Sequence, residues 1–251
     1  MAVRQIGILG RGAFGTFLRE RIESFGFAVV SWDKQMADNG DPLNDPLDAV
    51  LGSDAVIFAV PPKHYANALE TYVPNMRPDA VIVDVCTVKM VTAQALRRVA
   101  NGRPYLSSHP MFGPQSFVDK NNSLLGLQLV ICEHTLDPGA YDSLIKLLSD
   151  HAGLDVVTMT PEEHDEAQAR EQLLTQHIGC VMNRTGFALN ERNIHTVSAG
   201  HFYRAMHIVG NDAELFKQAA ELNPFWPRVL RQFELALAEH NLAMLNGTAS
   251  H

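Results

Sequence analysis

The sequence predicts an α/β protein in two parts, a parallel sheet covered on both faces and then an all-helical region. Three observations carry this. Compact apolar runs recur through the first part, with helical patterns between most of them. A glycine-rich turn joins the first run to the first helix, and beyond residue 158 the runs stop. Strands that are apolar on both faces and separated by helices belong in parallel sheets, because crossover helices cover both sides.

The first run is "QIGILG", followed by Phe14, Phe17, Leu18, Ile22 and Phe25 on one helical face, closed by Gly26. "FAVVSW", "DAVIFAV", "AVIVDV", "LQLVIC" and "LDVVTM" follow as strands. At "TPEEHDEAQ" the pattern changes, with Thr160 as N-cap, Pro161 at the first helical position and Glu163 as the reciprocal acid of a capping box. Leu174, Ile178, Val181 and Met182 form one helical stripe; Leu230, Phe233, Leu237 and Met244 form another after the break "NPFWP". The domains are therefore 1–158 and 159–251. A helical part this small with such wide apolar stripes is expected to share its core with a second copy, as a homodimer.

The 251 residues are 46% hydrophobic and 19% charged, ordinary for a globular protein. A net charge of -8 leaves nothing to neutralise phosphates, which argues against a nucleic-acid partner. Three cysteines without a C-x-x-C pair point to a reducing compartment. The opening apolar run is too short for a signal peptide, and no segment approaches the ~18 apolar residues of a membrane span. The expected location is the cytoplasm, with no membrane partner.

"GILGRGAFG" places Gly10, Gly12 and Gly15 in a G-x-G-x-x-G turn, with Arg11, Ala13 and Phe14 between them. One glycine makes the turn, one admits a pyrophosphate and one lets the helix approach the strand. The helix N-terminus adds free N–H groups and partial positive charge. Asp33 ends the second strand 18 residues beyond Gly15, where an acid bonds the ribose diol and repels a 2′-phosphate. The first part therefore reads as a Rossmann-type dinucleotide-binding domain preferring NAD, with Lys34 leaving NADP possible.

Ligands of such sheets sit beyond the carboxyl ends of the strands. Three stretches fall there: "AVPPKHY", "DVCTVK" and "SSHPMFGP". Val60 and Pro61 are expected on the adenine side, and Cys86, Thr87 and His109 near the nicotinamide. His109 alone reads either as a hydrogen-bonded loop histidine or as a general base. Lys63 and Lys89 read as solvated surface residues.

"GRGAFG", "DVCTVK", "SSHPMFGP" and "EEHDEAQAREQLLTQHIG" together resemble the prephenate/arogenate dehydrogenase family of tyrosine biosynthesis, closer to its arogenate-type members. The resemblance runs from residue 3 to about 185. It implies an oxidoreductase with an NAD(P) domain and a helical dimerisation domain, acting on a small cyclohexadienyl acid. It also implies that His109 bonds the ring 4-hydroxyl and takes its proton, with Thr87 assisting. Two departures stand out. Gln176 occupies a position where the family has histidine, with His177 next to it and about 100° away on an unbroken α-helix. His207 stands where several members carry a carboxylate-gripping arginine, and Arg204 lies three residues earlier, on the same face if helical. Gln176, Arg204 and His207 are the substrate-side candidates in the helical part.

No metal site is expected, since no H-E-x-x-H or tight Cys/His cluster occurs. One alternative is another small-acid NAD(P) dehydrogenase of similar plan, but residues 159–192 lack the lysine such enzymes use. The other is a non-catalytic dinucleotide-binding protein.

Overall fold

The computed structural model describes residues 3–34, 46–186, 196–209 and 213–246, with side chains omitted at 204–209. The chain divides into two compact units, Met1–His164 and Asp165–His251. The division falls inside the helix that opens at Pro161, whose first turn carries His164 against His109 of the sheet.

The first unit contains seven strands: β1 Gln5–Leu9, β2 Ala28–Trp32, β3 Ala55–Phe58, β4 Val81–Asp84, β5 Tyr105–Pro110, β6 Gln128–His134 and β7 Asp155–Thr158. Its helices are α1 Ala13–Ser24, α2 Asp48–Leu51, α3 Pro62–Tyr72, α4 Met90–Ala100, α5 Pro114–Asp119 and α6 Pro138–Lys146, and α7 Pro161–Gln168 begins in it. The strand order is β2-β1-β3-β4-β5-β6-β7. Chain order reverses at β1, so β1 and β3 flank the topological switch point where such sheets bind ligands.

The sheet is mixed, not wholly parallel: β6 runs antiparallel to β5, while every other pair is parallel. The link between β5 and β6 carries only the short α5, and Met111 N–H already bonds Gln128 C=O at 2.9 Å. The chain thus turns back along β5 instead of crossing over. An apolar run specifies a strand but not its direction, which is why "LQLVIC" reads as parallel in sequence.

Val56 and Phe58 of β3 join Leu9, Tyr65, Leu69, Ile82 and Leu96 in one core, while Ile57 between them is buried on the other face. Each such fully buried side chain contributes about 1.5–3 kcal/mol. The register then aligns one rim. Trp32 lies opposite Leu9, Leu9 opposite Phe58, Phe58 opposite Asp84, and Asp84 opposite Ser107. Gly10, Asp33, Val60, Cys86 and His109 therefore follow immediately on the same edge.

The second unit is helical throughout its described residues. From α7 the chain passes through a π turn, Ala169–Leu173, into α8 Leu174–Arg184; α9 Val197–Val209, α10 Ala213–Leu222 and α11 Trp226–Leu245 follow. Asn223 ties the "NPFWP" break down: its Nδ2 donates to Asp165 C=O at 2.8 Å, and its Oδ1 accepts Phe225 N–H at 2.9 Å. Trp226 and Val229 are buried, but Leu235, Leu237, Leu242, Met244 and Leu245 along α11 are exposed. No helix of the described residues is long and apolar enough to cross a membrane.

Candidate active site

The three loop glycines differ in what a side chain would meet. Gly10 has φ +107°, and a Cβ there would overlap the Ala59 carbonyl oxygen. At Gly15 it would overlap the carbonyl of Gly10, so the helix lies directly against the turn. At Gly12, the N-cap of α1, it would meet nothing within 4 Å. The first two glycines are thus needed for turn and packing, and the third leaves room at a helix end. That end has no side-chain cap and no acid in its first turn. Open space over uncapped N–H groups suits a pyrophosphate. Asp33 closes the loop from β2, its Oδ2 accepting the Arg11 backbone N–H at 2.7 Å. The residues present therefore fit a dinucleotide.

Beyond β3, Val60 is half-buried and Pro61 exposed at the start of α3. Cys86 lies beside this loop, its thiol donating to Val60 C=O at 3.4 Å. Burial, then the nearby Asp84 carboxylate, push that thiol well above its ordinary pKa, so it stays protonated. Thr87 is half-buried on the same turn.

A buried ion pair fixes that turn, and here the reading of Lys89 as a surface residue fails. Lys89 is fully buried, its Nζ 2.6 Å from Asp84 Oδ2 and 2.6 Å from Ser108 C=O. Asp84 also accepts from Thr92 Oγ1 at 2.8 Å, Ser107 Oγ at 3.1 Å and Cys86 N–H at 2.8 Å. Ser108 Oγ donates to Asp84 C=O at 2.8 Å. Asp84, Cys86 and Lys89 of "DVCTVK" and both serines of "SSHP" are thus joined in one network that locks the β4 turn to β5 immediately before His109. Sequence spacing alone hides this, because the partners lie on adjacent strands. The signal available was a lysine and a threonine on a helix start following an aspartate at a buried strand end.

His109 is buried at the end of β5. Its Nδ1 lies 2.9 Å from Nε2 of His164, with the rings crossed at 72°. Burial first, then His164 and Lys89, hold its pKa well below the ordinary value, so the imidazole is neutral. His164 is aimed by the capping box at the start of α7. Thr160 Oγ1 accepts Glu163 N–H at 3.1 Å, and the Glu163 carboxylate accepts Thr160 N–H at 2.8 Å. The capping-box expectation is met; the pairing of the two histidines was not read from the sequence.

In the second unit, Gln176 and His177 sit half-buried on α8. The π turn before them changes the rotation expected from an unbroken helix. One extra residue in that turn brings His177 to within about 20° of the Asp165 face and leaves Gln176 about 80° away. His177 stands against Trp226 and Phe233, with ring centroids 5.6 and 6.5 Å away. Arg204 and His207 lie on α9, and their side chains fall outside the described residues. Among the described residues, no group of three His, Cys, Asp or Glu could hold a metal ion.

Fold and loop together define a Rossmann-like dinucleotide-binding protein. Residues 31–153 match the family model "Prephenate dehydrogenase, nucleotide-binding domain". The chain is 30% identical over 183 residues to the 4-amino-4-deoxyprephenate dehydrogenase of Streptomyces pristinaespiralis, covering 68% of this chain and 59% of that protein. It spans about half the length of the curated relatives it matches. Among solved structures, the A. aeolicus prephenate dehydrogenase in complex with hydroxyphenyl propionate and NAD+ aligns with a TM-score of 0.73, at 17% identity over 98% of this chain and 92% of that one. Synechocystis arogenate dehydrogenase aligns with a TM-score of 0.68, at 18% identity over 97% and 92%. At family level the chain is similar to the prephenate/arogenate dehydrogenases, and the solved structures share its fold.

Proposed function

We propose that the protein oxidatively decarboxylates a cyclohexadienyl acid, arogenate to tyrosine or prephenate to 4-hydroxyphenylpyruvate. The observation that carries this reading is His109: neutral, buried, and on the same rim as the glycine loop. His109 takes the C4 hydroxyl proton as that carbon is oxidised, and Thr87 assists by bonding the same oxygen. The bound dinucleotide supplies the hydride acceptor. The new carbonyl is conjugated through the ring to the carbon bearing the carboxylate, so carbon dioxide leaves and the ring becomes aromatic. A positioned general base is worth ~100- to 10,000-fold. Asp33, bonded to the loop and placed for a ribose diol, favours NAD over NADP.

Gln176, Arg204 and His207 are the proposed contacts to the remainder of the substrate, 1–158 the dinucleotide domain and 159–251 the substrate and dimerisation domain. The exposed leucines of α11 support a homodimer through the helical part. Equilibrium sedimentation checks this: Leu237→Glu is expected to shift a dimer to monomer.

The function is tested by following nicotinamide reduction with prephenate, arogenate and 4-amino-4-deoxyprephenate, the last because of the Streptomyces relative. Each is paired with NAD and with NADP. Turnover of one acid, fastest with NAD and releasing carbon dioxide, supports the proposal. Dinucleotide binding without turnover of any acid refutes it and favours a non-catalytic binding protein.

A further inference from the structure

The reaction just proposed uses one nitrogen of His109, and the structure has already committed the other. Nδ1 meets His164 Nε2 at 2.9 Å, while Nε2 takes no hydrogen bond among the described residues. Two rings joined this way share one proton in their hydrogen bond. If His109 donates, its Nε2 carries the lone pair and can accept from a ligand. If His164 donates, the proton of His109 sits on Nε2, which then cannot accept. The hydrogen bond made at one ring nitrogen decides the state of the other.

Lys89 is a charged neighbour of His109, and neither it nor its partner Asp84 bonds His109. Lys89 is held by Asp84 and Ser108 C=O, and the Asp84 carboxylate is occupied by Lys89, Thr92, Ser107 and the Cys86 N–H. In a serine-type triad a carboxylate orients the imidazole. Here a second imidazole stands in that place, itself buried and aimed by the Thr160–Glu163 capping box.

We infer that His164 is a positioning residue: it accepts the Nδ1–H of His109, fixes the tautomer whose Nε2 is free to take a proton, and shares the charge once that proton arrives. The balance is simple. The substrate hydroxyl proton moves to Nε2, the Nδ1–H stays directed at His164, and the pair together carries one positive charge until the proton leaves to water. An imidazole acceptor suits a base that must wait empty, whereas a carboxylate at 164 would attract a proton to His109 before substrate arrives. The inference rests on the proposed reaction for its role in turnover, but the tautomer can be read without substrate.

The experiment is long-range proton–nitrogen correlation NMR on the full chain labelled with 15N-histidine, near neutral pH and without substrate. The His109 signals are identified by their loss in His109→Asn. The wild-type protein is expected to show His109 as the Nδ1–H tautomer with an unprotonated Nε2; an Nε2–H tautomer overturns the inference outright. His164→Gln, whose amide oxygen can accept the same bond, is expected to keep the Nδ1–H form. His164→Leu is expected to release it, and an unchanged tautomer in that variant also counts against the inference. On the same preparations kcat is expected to fall by up to ~100-fold in His164→Leu with KM little changed, and to recover in His164→Gln. Turnover accompanied by an Nε2–H tautomer removes the positioning role alone. The expected tautomer with no turnover of any acid removes the proposed reaction and leaves the histidine pairing standing.

Discussion

Two carboxylates at opposite ends of the sheet are built from the same parts and meet different surroundings. Asp84 closes β4 at the rim of the site, and Asp54 precedes β3 at the other rim. Each binds backbone N–H groups and a cation. Asp54 accepts from Arg4 N–H at 2.7 Å, Gln5 N–H at 3.1 Å and Arg77 at 2.7 Å. The difference is water: the side chains of Asp84 and Lys89 are 0% exposed, against 20% for Asp54 and 38% for Arg77. A solvated pair ties two strand starts together at little gain, because water competes for both charges. A buried pair is costly to assemble and far costlier to break, since removing one partner strands the other. Such a pair on the rim with the glycine loop and His109 gives the site a fixed frame.

The largest expected effect follows from that asymmetry. Lys89→Met leaves the Asp84 carboxylate buried without its cation and is expected to cost about 3–5 kcal/mol in denaturant unfolding. A loss below ~1 kcal/mol would erase the contrast with the opposite rim. The glycine loop sharpens the comparison within one rim. Gly15→Ala forces a Cβ into the Gly10 carbonyl and is expected to cost about 2–3 kcal/mol. Gly12→Ala meets open space, so it is expected to cost ~1 kcal/mol or less while weakening dinucleotide binding measured by calorimetry.

Acid gives the next effect: stability falls on acidification at both rims, but in different pH windows. His109 resists protonation in the folded state, so below the ordinary histidine value of 6.5 the unfolded chain binds the extra proton and stability falls with pH. The slope is at most about 1.4 kcal/mol per pH unit for one group, and His109→Asn is expected to remove it. The Arg4 and Gln5 N–H groups, followed by Arg77, hold the Asp54 carboxyl below its ordinary 3.8. Its contribution is therefore complete above that value and is lost as pH falls through the lowered folded value. Asp54→Asn, the smallest change, is expected to cost about 1 kcal/mol at neutral pH.

Much of this was legible in the sequence, for identifiable reasons. The glycine turn, Asp33 and His109 could be placed because strand ends and glycine spacing are local signals, and the register brings them to one rim. The capping box at Thr160 and Glu163 is likewise a local pattern. The antiparallel turn at β6 was hidden because apolar periodicity carries no direction. Lys89 was misread because burial of a lysine depends on Asp84 and Ser108, partners on neighbouring strands. His164 was invisible as a partner of His109 because 55 residues separate them. The π turn at Ala169–Leu173 leaves no periodic mark, so rotation counted from sequence runs out of phase beyond it.

The most direct test of the account is single-turnover reduction of NAD by saturating arogenate or prephenate, with wild-type protein beside His109→Asn. The account predicts turnover of at least one acid, a rate ~100- to 10,000-fold lower in the variant, and dinucleotide affinity equal in both. Equal rates would remove His109 as the base, and tight dinucleotide binding with no reduction by either acid would contradict the dehydrogenase reading itself.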